Sequence, residues 1–532
     1  MMVRCLGRAL APALASVVLN GAPGPGRAAA DGFFDETRAR TLFAFDDVSI
    51  PHTQNLRLEM HAPVRHPANP VLRRGAPGTP DASGVQFYGS VIRDGGRFRM
   101  WYVAFDDDAA NRVASSRWRP AYAESLDGVT WTKPDLGLVR FHGSRRNNLV
   151  ALGGDWGCIN LKVIKDEADP DPRRRYKMTT HVYFRHRTRL GTLLPFVSAD
   201  GFTWQPVKDV TPVRAEMRRE DLLLPVVHLE PCGGLYQWDG WYYLTGQNAL
   251  PGVRQYQGRV TRIYRSADFV HWEPTNQVGF VRDKQLQWLG PGRSREGEQN
   301  HEGISVWQRG NVLLGIYGRW HGAAEWQGVT VDLGFVLSND GRQFREPQRE
   351  WTWLERGPDG AWDQGGLLQG QGFENVGEQS LIYYGAWDPR ATGGPAVPRG
   401  GVGVALLPRD RFGALRVDES GLGPGAYQAP AIVSELVTSS VDVPGGRLPR
   451  VFVNAGGLGA DAALRIELLD HFERPVSGRV ATVRAGGFQV PVRWEAAGDS
   501  AVPERVRFRV RFDGAGRTAI RFHALYLLPL SG

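Results

Sequence analysis

Ser125-Leu126-Asp127-Gly128-Val129-Thr130-Trp131-Thr132-Lys133-Pro134 is the stretch on which the fold turns, because its frame returns along the chain. Ser198-Ala199-Asp200-Gly201 is followed by Trp204 and Pro206, Ser266-Ala267-Asp268 by Trp272 and Pro274, and Ser338-Asn339-Asp340-Gly341 by Phe344 and Pro347. A degenerate fifth copy, Pro408-Arg409-Asp410, is followed by Phe412. The aspartates at 127, 200, 268, 340 and 410 are spaced by 68 to 73 residues. A self-similar period of that kind marks an array of supersecondary units, and it outranks any reading of single strands.

Upstream of the aspartates lie apolar or aromatic strands such as Met100-Trp101-Tyr102-Val103, Trp241-Tyr242-Tyr243-Leu244 and Leu381-Ile382-Tyr383-Tyr384. Turn signals, Asp94-Gly95-Gly96 and Asp239-Gly240 among them, join most of these to an earlier strand. Each unit therefore reads as four antiparallel strands, and radial repetition of such a unit is a propeller blade. The predicted fold is all-β: a five-bladed β-propeller over residues 81–425, then a β-sandwich over 430–532. Arg505-Val506-Arg507-Phe508-Arg509-Val510-Arg511-Phe512 carries the period-two alternation of a half-buried strand in that second unit. Residues 31–80 are expected to pack on the propeller and to supply a strand that closes its ring. An Asp-Gly pair between strands is hairpin chemistry, and a group repeated in every unit is structural, so the five aspartates are set aside as catalytic candidates.

The chain has 532 residues, 42% apolar and 23% charged, with 66 glycines and 35 prolines, which describes a turn-rich globular protein and excludes fibrous, disordered and coiled-coil classes. The net charge of +8 comes from arginines spread over the whole length, with only six lysines, so no nucleic-acid patch is indicated. Arg4 and Arg8 precede an apolar run from Ala9 to Leu19, then Ala28-Ala29-Ala30, the order of a signal peptide over residues 1–30. No later run reaches 18 apolar residues, so a secreted protein without a membrane span is expected, and a monomer. Cys158 and Cys232 remain after cleavage and allow one disulfide or two free thiols.

Tyr122-Ala123-Glu124-Ser125 running into the first repeat, Gly143-Ser144-Arg145-Arg146-Asn147-Asn148-Leu149, His66-Pro67-Ala68-Asn69-Pro70 and Ser266-Ala267-Asp268-Phe269-Val270-His271-Trp272 together resemble secreted bacterial proteins of the arabinanase, invertase and levansucrase-like superfamily. The resemblance covers residues 40 to 420 and implies a five-bladed propeller acting on glycosidic bonds. It also implies three carboxylates around the axial funnel, near the starts of the innermost strands. This chain departs from that pattern in the first unit, where Gln86-Phe87-Tyr88-Gly89-Ser90-Val91 has no acid.

Two carboxyl groups are needed for glycoside hydrolysis, one to protonate the leaving oxygen and one to activate water or attack carbon. Glu230 and Glu302 are the preferred pair, at the starts of the third and fourth units. Glu374 and Asp363 of the fifth unit and Asp155 of the second are the other candidates, and the three glutamates are read as sharing one position in successive units. Asp46 and Asp47 supply the missing first acid only if the N-terminal strand reaches the axis. Tyr88, Trp156 and Trp320 are expected to stack on sugar rings, and His228, His301 and Arg319 to bind hydroxyls or a uronate. No cofactor is indicated; an axial calcium or sodium ion held by carbonyls leaves no trace in sequence. Two alternatives carry weight: a non-catalytic glycan-binding propeller, and a sialidase-like hydrolase, whose six blades and arginine triad fit five copies poorly.

Overall fold

The computed structural model describes residue 34 and residues 36–106, 118–153, 158, 160–183, 191–208, 229–248, 259–282, 297–323, 325–388, 400–420, 433–495 and 501–529. The expected signal segment, Asp155, Trp156 and His228 lie outside the described residues, as do the side chains of Glu230 and Cys232. The described chain is all-β, with only short 3-10 turns besides its strands. No helix among the described residues is long and apolar enough to cross a membrane.

Five antiparallel sheets follow one another along the chain. Gly84–Asp94, Arg97–Phe105, Trp118–Ser125 and Trp131–Thr132 form the first. Asn160–Lys165, Tyr176–Tyr183, Gly191–Ser198 and Thr203–Pro206 form the antiparallel part of the second. Leu229–Trp238, Trp241–Asn248, Val260–Ser266 and Glu273–Phe280 form the third. The fourth has three strands, Gly297–Gln308, Leu313–Gly322 and Thr330–Ser338. The fifth is Leu367–Val376, Gln379–Ala386 and Val402–Pro408, completed by Val64–Arg65. The leading strand of each sheet packs on that of the next, and Leu367–Val376 returns to Gly84–Asp94 through a short parallel pairing.

The repeated turns explain both the period and the closure. Asp127 Oδ1 accepts the N–H groups of Val129 and Thr130 and the Ser125 hydroxyl, and Asp200, Asp268 and Asp340 do the same in their own turns. Each turn then docks on the preceding sheet. Trp101 Nε1 donates to the Gly201 carbonyl at 2.7 Å, Arg174 to that of Asp268 at 2.8 Å and Tyr236 to that of Gly341 at 2.7 Å. Arg309, just after Gly297–Gln308, grips Asp410, and Tyr383 of the fifth sheet donates to the Gly128 carbonyl at 2.8 Å, which ties the fifth sheet to the first turn. The aromatics that follow the turns, Trp204, Trp272 and Phe344, are buried.

Two further sheets form a separate layered core. Leu56–Met60, Gly413–Val417, Arg521–Leu528, Arg450–Gly456 and Gly487–Pro491 lie in one, with Arg40–Phe43 on Arg521–Leu528. His52–Gln54, Glu435–Val437, Arg505–Asp513, Ala463–Asp470 and Pro475–Val483 lie in the other, with Val441–Asp442 beside Arg505–Asp513. Val506, Phe508 and Val510, with Leu464 and Ile466 beside them in the same sheet, share one core with Phe522 and Leu525 of the other sheet, while the intervening arginines point outward.

The N-terminal segment packs on the fourth and fifth sheets through Phe43, Phe45 and Met60, as expected, but most of its strands pair elsewhere. Arg40–Phe43, His52–Gln54 and Leu56–Met60 pair with strands of the two C-terminal sheets, and only Val64–Arg65 joins the fifth sheet. Leu42 has no exposed surface and Leu58 packs beside it against Leu415 and Leu525, which gives these short apolar runs a larger core to fill than a blade edge offers. Gly413–Val417, inside the span 81–425, belongs to the same core. Asp46 and Asp47 lie at the outer turn of the fourth sheet, bonded to Arg345, far along the chain from any leading-strand start. Cys158 is free and buried, and burial pushes its thiol pKa up.

Candidate functional site

The leading strands share an irregularity that the sequence does not announce. In four of the five, two extra residues are inserted relative to the neighbouring strand: between Gln86 and Ser90, Pro231 and Gly234, His301 and Ile304, and Gln369 and Phe373. Such bulges re-aim side chains and let backbones approach. The third and fourth strands meet there: a Cβ added to Gly233 would lie 2.6 Å from the Glu302 carbonyl oxygen.

Glu302 occupies the fourth bulge itself. Its φ of +59° is left-handed, unusual for a residue with a side chain, and it is only 8% exposed. The Gln247 side chain accepts the Glu302 N–H at 3.0 Å, and Asn160 Nδ2 of the second sheet donates to Glu302 Oε2 at 3.3 Å. Strain of this kind costs of the order of 1–3 kcal/mol and persists where the surroundings over-determine it, most often at functional positions. Here three sheets hold the residue, and one of them, through Asn160, the carboxylate.

The neighbours of Glu302 come from the other leading strands. Lys162, fully buried at 0% exposure, donates its ammonium to the Tyr88 carbonyl and approaches the Gln369 carbonyl at 3.5 Å, with Tyr88 5.6 Å from it as a cation–π partner. Gln369 donates to the carbonyls of His301 and Gly303. An aromatic row begins beside them: His301 to Trp320 at 4.9 Å, and Trp320 stacked on Trp387 at 5.9 Å. Burial, with the Arg259 charge adding to it, holds the His301 imidazole well below its usual pKa, so it is neutral at pH 7. Its Nδ1 accepts from Arg259, because a guanidinium can only donate. Trp387 also lines a cavity of about 210 Å³ between the first and fifth sheets, with Gln86, Phe105, Trp118, Leu368 and Asp388. Among the described residues no group of three or more His, Cys, Asp or Glu side chains is placed to hold a metal ion.

Several expected site residues lie elsewhere. Glu374 does not open the fifth sheet; it is the eighth residue of Leu367–Val376, beyond the bulge, and accepts the Arg93 N–H at 2.7 Å where the fifth sheet meets the first. Asp363 is buried and bonded to Arg65 Nε at 3.0 Å and Tyr384 OH at 3.4 Å, which ties the Val64–Arg65 strand to the fifth sheet. Arg319 belongs to a network between the third and fourth sheets, donating to Glu298 at 3.0 Å and Thr352 at 3.0 Å, and Arg282 binds the same Glu298. Glu230 and Glu302 are not equivalent either: Glu302 is the first residue of its bulge and Glu230 precedes its own by two. By register Glu230 pairs with Gln247, whose side chain holds the Glu302 N–H, so the two glutamates share that neighbour. Tyr88, His301 and Trp320 are brought together as one aromatic cluster, with Tyr88 and Trp320 buried in it, and next to Glu302 through His301 in the chain. Arg259, Lys162 and Trp387 were missed; none sits in a repeated frame, and only the meeting of distant strands brings them there.

Glu374 yields a prediction. Burial pushes its pKa up to about 7, against the Arg93 N–H, which favours the charged form. The folded value exceeds the ordinary 4.5, so its stabilisation is complete below about pH 4.5 and lost as pH rises through 7. The wild type should lose about 2 kcal/mol between pH 5 and pH 8 relative to Glu374→Gln, which keeps the acceptor without the charge. Urea denaturation at the two pH values measures it, and parallel pH profiles in both proteins would refute it.

No family model and no curated protein matches the sequence. In structure the chain is similar to solved proteins described as glycoside hydrolases, and to a deacetylase. One comes from work on the GH130 family, mannoside phosphorylases that include glycoside hydrolases targeting β-1,2-mannosidic linkages in Candida mannan: 15% identity, 66% of this chain and 95% of that one, TM-score 0.40. An N-acetylgalactosamine deacetylase from F. plautii matches at 14% identity over 67% and 96%, TM-score 0.42. A glycosyl hydrolase from Bacteroides ovatus matches at 15% over 66% and 95%, TM-score 0.40.

Proposed function

We propose that this chain is a secreted glycoside hydrolase built on a five-bladed β-propeller, with Glu302 and Glu230 as its acid/base pair at the axis. The turn-on-preceding-sheet order, closed by Tyr383 on Gly128, supports five blades, and residues 1–30 support secretion. The observation that carries the activity is Glu302: a residue in left-handed backbone, inside a bulge, whose carboxylate accepts from Asn160 of the second sheet and whose N–H is held by Gln247 of the third. A surface glutamate needs none of this.

In the reaction proposed, Glu230 in its acid form gives a proton to the glycosidic oxygen as the bond from that oxygen to the anomeric carbon breaks. Glu302 as carboxylate either takes a proton from the incoming water or attacks the anomeric carbon itself, and in both cases water oxygen ends on that carbon. Asn160 orients Glu302, while Tyr88 and Trp320, buried against Lys162, His301, Arg259 and Trp387, support the site from beneath and do not stack on the sugar. Reducing-sugar release by residues 31–532 across a panel of plant and algal glycans tests the reading, and release from at least one is expected.

A glycan-binding propeller without hydrolysis is the second reading. It is favoured by Gln86-Phe87-Tyr88, which puts no carboxylate on the leading strand of the first sheet ahead of its bulge's end. Binding of a glycan that is never cleaved would select it.

A further inference from the structure

Among the described residues Arg259 meets no acid. Lys162 is spent on backbone carbonyls, while Arg282 and Arg319 are neutralised by Glu298, Glu346 and Glu350. Arg259 has its backbone N–H on Gln299 Oε1 at 3.1 Å and a single guanidinium hydrogen bond, to His301 Nδ1. Its guanidinium carbon sits 4.7 Å from the Trp320 ring centroid, and the residue is partly exposed. The remaining guanidinium N–H groups, four of the five that arginine carries, meet no acceptor among the described residues. Stacking on Trp320 fixes the plane of the fork, and a neutral His301 takes one donor without cancelling the charge. A rigid, uncancelled guanidinium is suited to a planar or tetrahedral oxyanion, which it binds through paired hydrogen bonds. Its place is fixed relative to the chemistry, since His301 precedes Glu302 in the chain.

We infer that Arg259 binds an anionic group of the glycan, a hexuronate carboxylate or a sulfate ester, beside Glu302, so that the substrate is an acidic glycan. This deepens the functional reading and rests on it only in placing the glycan on the axial face.

Calorimetric titration of wild type and Glu302→Gln with a galacturonate trimer, a sulfated galactose oligosaccharide and a neutral xylose trimer tests it. One acidic ligand should bind more tightly than the neutral one, and whether it is the uronate or the sulfate identifies the group. Arg259→Gln should weaken that ligand by about 10- to 100-fold, Arg259→Lys by less, and neither should change the neutral one. Preference for the neutral trimer, binding of none of the three, or unchanged acidic affinity in Arg259→Gln would overturn the inference. Should Arg259→Gln melt early, Arg259→Lys alone decides, because loss of the paired geometry must still weaken the acidic ligand selectively. Acidic binding that depends on Arg259 without any sugar release keeps this inference and removes hydrolysis; release from neutral glycans alone does the reverse.

Discussion

Alanine at Asp410 is expected to lower the unfolding free energy by about 3–5 kcal/mol, the range for removing one partner of a buried ion pair. Asp410 is 0% exposed and Arg309 1%, and they meet through two parallel hydrogen bonds, one of 2.8 Å, with Tyr526 donating to Asp410 Oδ2 at 2.8 Å. The alanine leaves the guanidinium 4.6 Å from the Trp307 ring and 5.5 Å from that of Phe43, in a buried place, and it removes the acceptor of the Tyr526 hydroxyl, which keeps only the donor Asn454. The pair joins the fourth sheet, the fifth turn and the Arg521–Leu528 strand of the C-terminal sheets, so the loss should be felt by both cores. Urea denaturation of Asp410→Ala measures it. Removing both charges with Arg309→Met and Asp410→Leu should cost less than the single change, since desolvation of the ions then disappears with their attraction. A single variant within about 1 kcal/mol of wild type would show that the pair is not what joins the layers.

Asp410 also shows what sequence reveals and what it hides. The repeat is legible because its chemistry is local: an aspartate that accepts N–H groups two and three residues ahead needs the same short frame in each unit. The fifth copy lacks the preceding serine and the following glycine, and its aspartate does a different task, pairing with Arg309 and Tyr526. Glu302 was legible as a candidate acid of the fourth unit, although it does not open its strand but lies sixth in Gly297–Gln308. The bulges were not, because register belongs to two strands, and Glu374 was therefore counted into a funnel from which half a strand separates it. The pairing of Arg40–Phe43 was hidden for a like reason: its partner, Arg521–Leu528, lies at the far end of the chain, and a four-residue apolar run says nothing about which strand it joins. Arg259 on Trp320 and Lys162 on the Tyr88 carbonyl are contacts across sheets, and no spacing in the sequence carries them.

In the proposed reaction the Glu302 carboxylate does chemistry and does not merely hold the bulge. Glutamine there keeps the shape, the left-handed backbone, the Gln247 contact and an oxygen for Asn160, and removes only the capacity to ionise. Its cost to stability should be small, while a lost acid/base or nucleophilic group typically lowers turnover by about 10²–10⁴-fold. A structural glutamate would behave the other way, with altered melting and unchanged rate per folded molecule. The decisive measurement is the initial rate of reducing-sugar release by Glu302→Gln against wild type on the glycan that wild type cleaves fastest, with thermal melts of both. A rate lowered at least about 100-fold at matched melting is the expected result; equal rates would contradict the catalytic assignment of Glu302.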